Sequence, residues 1–225
     1  MSTFLQLVNY AREECDAAGS GDLTTLVGVT GESLRFKNWI IRAWNEIQEM
    51  RTDWKWMRAA YSFTTTANDG AYSSSDAGIA SRFGRFDITN CTVYLTATGT
   101  NDQTELEWLD YETFQCTYLI GPQTNQRPTH FTIGDANELL VGPAPDSALY
   151  TITGHYFKSP QALSADADEP ELPDHHSVIA YRAMKKYARF SASPEIYVDA
   201  NAEESRMMNA IRNMYLPVIS IGESE

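Results

Sequence analysis

The sequence contains few cysteines and far fewer basic than acidic residues. Three cysteines at wide spacing, an odd number, argue against a disulfide framework and favour a reducing compartment. Seventeen Lys and Arg residues against thirty Asp and Glu residues leave a formal net charge of −13, so the molecule as a whole should repel DNA and anionic lipid. No apolar run is long enough to span a bilayer, and the charged, amphipathic N-terminus is unlike a signal peptide. We therefore expect a soluble protein that is made in the cytoplasm.

Motifs of common enzyme chemistries are also missing. The sequence has no GxxxxGK[ST], GxGxxG, HExxH or GxSxG motif. The triplet at 174–176, DHH, opens a predicted helix without companion ligands, so we interpret it as polar helix-start residues rather than a metal site. Glu105 and Glu107 alternate with Leu106 and Trp108, which is typical of the solvent face of a strand. We predict no catalytic residues, no cofactor and no metal; a hydrolase that uses the triplet or these acids is the alternative.

Helical periodicity is strong in the N-terminal part of the chain. Residues 3–18 predict a short helix, in which Thr3 and Gln6 suit a capping box. Residues 32–53 predict a second helix with a broad apolar face. That face contains Trp39, Ala43, Ile47, Met50 and Trp54, widened on one flank by Ile40 and Trp44. Because it is broader than one core usually needs, we expect a central bundle helix whose face is partly covered by a neighbouring copy of the protein.

Helical periodicity returns after Pro173. One stripe of the third helix is apolar and contains Ile179, Ala183, Tyr187 and Phe190. The opposite stripe is basic and contains Arg182, Lys185, Lys186 and Arg189. We interpret the basic stripe as a solvated face, with contact to an acidic partner protein as the functional alternative. Ser193 and Pro194 then predict the N-cap and first position of a fourth helix.

Between the helical parts the pattern changes to alternation with a period of two. The alternating segments are RFDI, CTVYLTA, TELEWL, TFQCTYL, THFTI, NELLV and LYTITGHYF, separated by turn signals. We therefore predict an α+β fold: a four-helix bundle from residues 1–57 and 172–225, with an antiparallel β-sandwich or barrel module, residues 58–171, inserted into it. Trp54 and Trp56 fall where the helical pattern ends.

The layout of the chain resembles that of bacteriophage head-to-tail adaptor proteins. The resemblance covers nearly the whole chain, from the N-terminal helix and the tryptophan-containing helix running into RTDWKWM to the C-terminal helices. Its most characteristic passage is ELLVGPAPDSALYTITGHYFKSPQALSADADEPELPDHHSVIAYRAM. There a strand ends in a Pro-rich turn, a second strand ends in Tyr156 and Phe157, and a Ser/Leu/Asp linker leads to a Leu-Pro helix start.

The resemblance implies a structural protein of the virion that has no catalytic residues. Family members form a dodecameric ring beneath the portal protein, extend the DNA channel and dock the next tail component, a nozzle or tail tube. An acidic wall would let genome DNA pass without specific binding, because like charges repel. The alternatives are a head-completion or stopper protein and a β-sandwich carbohydrate-binding tail component. The latter would use Tyr72, Trp108, Tyr111 and Tyr118 as sugar platforms.

Three groups of residues are candidate partner contacts. Trp39 and Trp44 are predicted to face a neighbouring subunit, and the basic stripe of the third helix is predicted to face an acidic partner. The C-terminal segment YLPVISIGE has apolar alternation that could add to another surface. Its candidate portal contacts are Tyr215, Leu216, Val218, Ile219 and Ile221.

Deletion of residues 217–225 should weaken attachment to the portal, because it removes most of the apolar alternation of that segment. Co-sedimentation with purified portal rings measures the effect. Unchanged binding of the truncated chain would show that the portal is held elsewhere.

Overall fold

The computed structural model describes residues 2–17, 19, 21–146 and 149–216. The chain divides into two compact units: a helical unit, made of residues up to Met57 and from Pro160 onward, and a β unit, Arg58–Ser159. The helical unit contains α1 (Phe4–Glu14), α2 (Gly31–Glu49), α4 (Ser177–Ser191) and α5 (Pro194–Tyr215). The described residues of the β unit form nine strands and the short helix α3 (Tyr111–Phe114). The predicted α+β class is confirmed.

The first helix begins with the predicted capping box. Thr3 Oγ1 accepts a hydrogen bond from the Gln6 amide at 3.3 Å, and Gln6 Oε1 accepts one from the Thr3 amide at 2.9 Å. Two amides of the first turn have distant partners, since Phe4 N donates to the Asp168 carbonyl at 2.7 Å and Leu5 N to the Asp166 carbonyl at 3.1 Å. These bonds satisfy amides that a helix start leaves unpaired, and they fix α1 to the segment that precedes α4.

Helix α2 ends earlier than predicted, at Glu49 rather than residue 53. Trp54 lies beyond the helix and turns back onto it: its Nε1 donates to the Ile47 carbonyl at 3.1 Å, and its ring stacks on Trp56 with centroids 4.3 Å apart. In a continuing helix that carbonyl would accept from the amide of residue 51. The indole N–H therefore takes the place of the missing amide donor at the end of α2. The Trp54 ring fills the core although it lies outside the helix.

Helix α4 is central in the helical unit, because it packs against α1, α2 and α5. Ile179 and Ala183 on its apolar stripe are fully enclosed. Its C-cap Ala192 has a left-handed backbone with φ of 53°, and α5 then starts at Pro194 with Ser193 as N-cap. The predicted start of the last helix is confirmed.

The segment from Pro160 to Leu172 packs with the helices, whereas residues up to 171 were predicted to belong to the inserted module. Gln48 of α2 and Gln161 form two hydrogen bonds: Gln48 Nε2 donates to the Gln161 carbonyl at 3.0 Å, and Gln161 N donates to Gln48 Oε1 at 2.6 Å. Leu163 and Leu172 are buried in the helical core. These contacts hold the segment in the helical unit.

The β unit is built around its last strand. The strands are β1 (Arg58–Thr64), β2 (Ala71–Tyr72), β3 (Phe83–Phe86), β4 (Thr92–Leu95), β5 (Thr104–Glu105), β6 (Glu107–Trp108), β7 (His130–Ile133), β8 (Leu139–Gly142) and β9 (Tyr150–Lys158). Strand β9 pairs with β1 on one edge and with β4 and β3 in succession on the other, and β5 extends the sheet from β4. A second sheet has the order β2–β8–β7–β6, in which β6 and β7 are parallel.

The two sheets contribute to one core. Phe63, Val93 and Ile152 of the first sheet and Phe131 and Val141 of the second belong to the same cluster of buried side chains. Neither sheet is a closed barrel, so the barrel alternative of the prediction is wrong.

One local prediction in the β unit is wrong. TFQCTYL, predicted as a strand, forms the end of α3 and a π-helical turn, Gln115–Leu119. The Asp110 carboxylate caps this helix by accepting from Thr113 N at 3.0 Å, and Phe114 and Tyr118 are four residues apart, which suits a helix face. Strand β2 presents the buried Tyr72, whose hydroxyl donates to the Asp69 carbonyl at 2.6 Å.

In the described part of the chain, no helix has both the length and the hydropathy required to cross a membrane.

Gly154 of β9 leaves room for a tyrosine ring. It lies opposite Tyr61 of β1, and a Cβ atom at Gly154 would be 2.5 Å from the Tyr61 hydroxyl and 2.7 Å from its Cζ. Because Tyr61 is itself buried, the ring cannot move away freely. We expect Gly154→Ala to lower the free energy of unfolding by about 1–3 kcal/mol, as measured by urea denaturation.

The control is the same substitution in a Tyr61→Leu background, where the blocking ring is absent. In that background we expect Gly154→Ala to lower the free energy of unfolding by less than about half as much, because the two side chains would otherwise clash. Equal costs in both backgrounds would contradict the steric explanation.

Candidate interaction surface

The start of α2 and the end of α4 form an exposed aromatic surface, here called the aromatic edge and consisting of Arg35, Trp39, Tyr187 and Phe190. Phe190 is 56% exposed although it is a large apolar side chain. The Arg35 guanidinium lies 4.3 Å from the centre of its ring, and Trp39 packs against it at 5.9 Å. Tyr187 stacks on the fully buried Phe36 at 5.1 Å. The rings thus run from the core to the surface, which holds the exposed ring in a defined position.

The turn from α4 to α5 adds a shallow, mainly apolar groove. Val198 on its rim is 64% exposed. The groove is lined by Ala188, Arg189, Ala192, Ser193, Pro194, Tyr197 and Val198. Arg189 Nη2 donates to the Tyr197 hydroxyl at 3.2 Å, and this bond, with the charges of Arg189 and Lys185, lowers the pKa of the Tyr197 phenol below its ordinary value. Arg189 therefore fixes one wall of the groove.

The basic stripe of α4 is largely neutralised inside the helical unit. Arg182 Nε lies 3.1 Å from Glu46 of α2 and 3.5 Å from Glu204 of α5. Lys185 Nζ lies 2.8 Å from Glu204, and Lys186 Nζ lies 2.5 Å from Glu46. The three cationic side chains are only 19–25% exposed. The stripe therefore links α4 to α2 and α5, and these three cations are not left free for an acidic partner.

The two tryptophans predicted at a subunit interface have different environments. Trp39 is half-buried in the aromatic edge and remains accessible. Trp44 is fully enclosed in the helical core, as are Ala43 and Ile47. The buried side of α2 is centred on Ile40 and Trp44. It is therefore rotated about the helix axis away from Trp39, toward the flank of the predicted stripe. Trp44 cannot contact a neighbouring copy in this conformation, and we remove it from the interface.

The predicted tail contacts are only partly within the described residues. Tyr215 packs inside the helical unit, since its hydroxyl donates to Asp174 Oδ2 at 2.9 Å and its ring meets Trp56 edge-on at 5.5 Å. Leu216 is half-buried against the same core. Val218, Ile219 and Ile221 lie outside the described residues.

The residues considered for metal or acid chemistry have other contacts. His176 is buried and uses both ring nitrogens: Nδ1 accepts from Ser2 N at 2.9 Å, and Nε2 donates to the Leu172 carbonyl at 2.6 Å. Over the ranges that the structure describes, no group of three or more His, Cys, Asp or Glu side chains could hold a metal ion. Glu105 and Glu107 are exposed, as expected for strand residues facing solvent.

Sequence reasoning missed the exposed members of this surface. Phe190 was predicted to belong to the buried stripe of α4, but it lies in the last turn, where that stripe passes the end of the core. Val198 is followed on its side of α5 by the small residues Ala202 and Ser205 rather than by large apolar ones. The exposed position of Val198 could have been suspected from the short apolar group around Pro194, which lies next to the turn between α4 and α5.

The structure defines an α+β protein in which a helical unit from both ends of the chain is interrupted by a β unit, and which presents apolar side chains on its helical surface. The chain belongs to the SU10 adaptor protein family, whose model matches residues 2–219. The resemblance to bacteriophage head-to-tail adaptor proteins is thereby confirmed. A comparison with curated proteins found no match.

The pairing of α4 with α5 can be tested at Glu204, whose side chain is 8% exposed. Glu204→Gln should lower the free energy of unfolding by about 1–3 kcal/mol, because Lys185 loses the carboxylate at 2.8 Å and Arg182 loses one of its two carboxylate partners. Urea unfolding of both proteins at the same salt concentration measures the difference.

The neighbouring Glu203 is a matched control. It pairs with Arg206 on the exposed side of α5, where both side chains are more than 40% exposed. Glu203→Gln should change stability by no more than about 0.5 kcal/mol. If the two substitutions have equal effects, the Glu204 network does not hold the helices together.

Proposed function

We propose that this adaptor is a virion protein that forms a ring beneath the portal, extends the DNA channel and docks the next tail component, without catalytic activity. The observation that carries the proposal is the exposed aromatic edge on a chain of the adaptor family. Large apolar side chains on an otherwise charged surface are typical of protein–protein contacts. In this proposal α1, α2, α4 and α5 form a four-helix bundle, and the two sheets form a sandwich inserted into it.

Contacts between copies are proposed to use the aromatic edge and the adjoining groove. Phe190 and Val198 together offer an apolar surface, with Arg35 and Tyr197 as polar neighbours that can form hydrogen bonds. Aromatic and Arg residues are enriched at the centres of such interfaces. In a closed ring each copy uses two different surfaces, so the aromatic edge of one copy meets another face of the next. A dodecamer is the stoichiometry implied by the resemblance.

The charge distribution supports a passive DNA conduit. The chain has a net charge of −13, and three cations of the α4 stripe are paired with Glu46 and Glu204. Internal pairing leaves these side chains unable to bind phosphates strongly, and DNA affinity depends on such contacts. A channel wall of this charge would repel the duplex as it passes.

Attachment to the portal is assigned to the C-terminal segment after α5. Tyr215 and Leu216 anchor its start in the helical unit, where they pack against the core. The portal contacts beyond them, Val218, Ile219 and Ile221, stay a prediction from the sequence. A head-completion or stopper protein is the nearest alternative within phage connectors.

Ring formation should require more protein when the exposed apolar side chains are replaced by polar ones. Phe190→Ser with Val198→Ser should raise the protein concentration needed for ring assembly on purified portal by about tenfold or more, because both side chains lose buried area at the interface. Negative-stain electron microscopy and native mass spectrometry of the mixture measure ring occupancy.

The control is Leu119→Ser with Ile120→Ser, which removes two equally exposed apolar side chains from the β unit. This variant should assemble as the unaltered protein does. If the Phe190 and Val198 variant forms complete rings at the normal concentration, copies do not meet through the aromatic edge.

A further inference from the structure

The β unit contains an open cleft with a volume of about 500 Å³. One wall is the loop of Ile88, Thr89 and Asn90 between β3 and β4, and the other is the segment from Glu105 to Trp108 that crosses from the first sheet to the second. The Leu106 amide donates to the Cys91 carbonyl at 2.8 Å, which ties the second wall to the chain just after the first. The volume lies within the range of small-molecule sites.

Trp108 presents an aromatic surface in this cleft. It is 38% exposed and is the one tryptophan of the β unit, the other four being at positions 39, 44, 54 and 56. The buried Phe131 meets its ring edge-on, with centroids 5.4 Å apart and an interplanar angle of 71°. A buried neighbour therefore fixes the orientation of an accessible indole, as a stacking platform requires.

A hydrogen-bonded histidine lies beside the carboxylate next to this platform. Glu107 Oε2 lies 3.5 Å from His130 Nε2, and His130 Nδ1 lies 2.7 Å from the Tyr118 hydroxyl and 2.8 Å from Thr129 Oγ1. When Nδ1 accepts from one of these hydroxyls, the ring proton is on Nε2 and faces Glu107. The Glu107 side chain is 76% exposed, so it remains available to a ligand.

The loop on the opposite wall is also held in place. Thr89 donates from its amide and its hydroxyl to Asp87 Oδ1 at 3.0 and 2.8 Å. Asp87 is buried and pairs with Arg58 at 2.8 Å. Asn90 follows with a left-handed backbone at φ of 58° and is exposed at the cleft. The loop thus adds an amide group, which can both donate and accept, to the two carboxylates across the cleft.

We propose that this cleft binds a neutral oligosaccharide built of pyranose sugars. The apolar C–H face of a pyranose ring can stack on Trp108, while its hydroxyls donate to Glu105 and Glu107 and exchange hydrogen bonds with Asn90. The cleft residues include two carboxylates and no cation, which disfavours anionic sugars and phosphates. One Lys or Arg side chain of a partner protein would fill only a small part of the volume, so a basic peptide is the less favoured ligand.

The cleft refines the carbohydrate residues expected from the sequence. Of the four aromatic residues considered there, Trp108 lines the cleft, and Tyr118 contributes by orienting His130. Tyr72 is buried, and Tyr111 is half-buried in α3 outside the cleft. Sugar binding at the β unit would be a second function beside ring assembly, and it does not depend on the aromatic edge.

The test uses the full chain labelled with 5-fluorotryptophan, which gives a separate fluorine NMR signal for each of the five tryptophans. The neutral probes are maltohexaose, cellohexaose, mannohexaose and a β-galactohexaose, each added at millimolar concentration. We expect at least one of them to shift the Trp108 signal and leave the four signals of the helical unit unchanged. Oligogalacturonate and hexalysine serve as anionic and cationic probes and should leave the Trp108 signal in place.

Two variants separate specific binding from general effects. Trp108→Ala should weaken retention on the immobilised sugar by about tenfold or more, and Glu107→Gln, an exposed substitution that preserves the fold, should weaken it several-fold. Trp39→Phe is the control and should bind as the unaltered chain does. The proposal is overturned if no neutral hexasaccharide shifts the Trp108 signal, if hexalysine alone shifts it, or if both cleft variants bind the sugar normally.

Discussion

The helical unit depends on side chains from distant parts of the chain filling one core. Phe4, Trp44, Ile179 and Ile211 are all fully enclosed there, although the whole β unit lies between the second and the third of them. Bringing distant segments together has an entropic cost that grows with the length of the connection. In the β unit, β1 and β9 pair along their length, with Arg58 opposite Phe157. Because the first and last strands are neighbours, folding of the β unit brings the two connections to the helical segments close together.

Charge and apolar surface have separate roles in the helical unit. Glu46 and Glu204 bind the cations of α4 from two sides, so charged pairs connect the helices. Phe190 and Val198, in contrast, are large apolar side chains that remain more than half exposed. The proposed ring requires a subunit with a rigid body and a surface that copies can share, and this division is consistent with both requirements. In the proposed ring, the net negative charge would repel the DNA without participating in assembly.

Local signals in the sequence predicted helix starts well. Thr3 with Gln6, and Ser193 with Pro194, each place a start within a few adjacent residues, and both starts are found in the structure. The end of α2 was predicted too late because its stop signal is tertiary: the indole of Trp54 takes the Ile47 carbonyl. Residues 113–119 were predicted as a strand because Phe114 and Tyr118 fit both alternation and a helical spacing of four.

The surface could be predicted less well than the fold. Periodicity identified the broad apolar side of α2 but could not distinguish Trp39, which is accessible, from Trp44, which is enclosed, since both lie on that side. The partners of the α4 cations lie on α2 and α5, far away in sequence, so a solvated face was the simpler interpretation. The cleft beside Trp108 depends on two segments that meet only when β3, β4 and β6 are in place.

The central claim is that copies of this adaptor meet through the aromatic edge of the helical unit. The most direct test is a cryo-electron microscopy reconstruction of the protein assembled on its portal, at a resolution that shows side chains. The account predicts a closed ring in which Phe190 and Val198 of each copy are covered by the next copy. A ring whose copies leave both side chains in solvent, or a portal complex with isolated subunits, would contradict it.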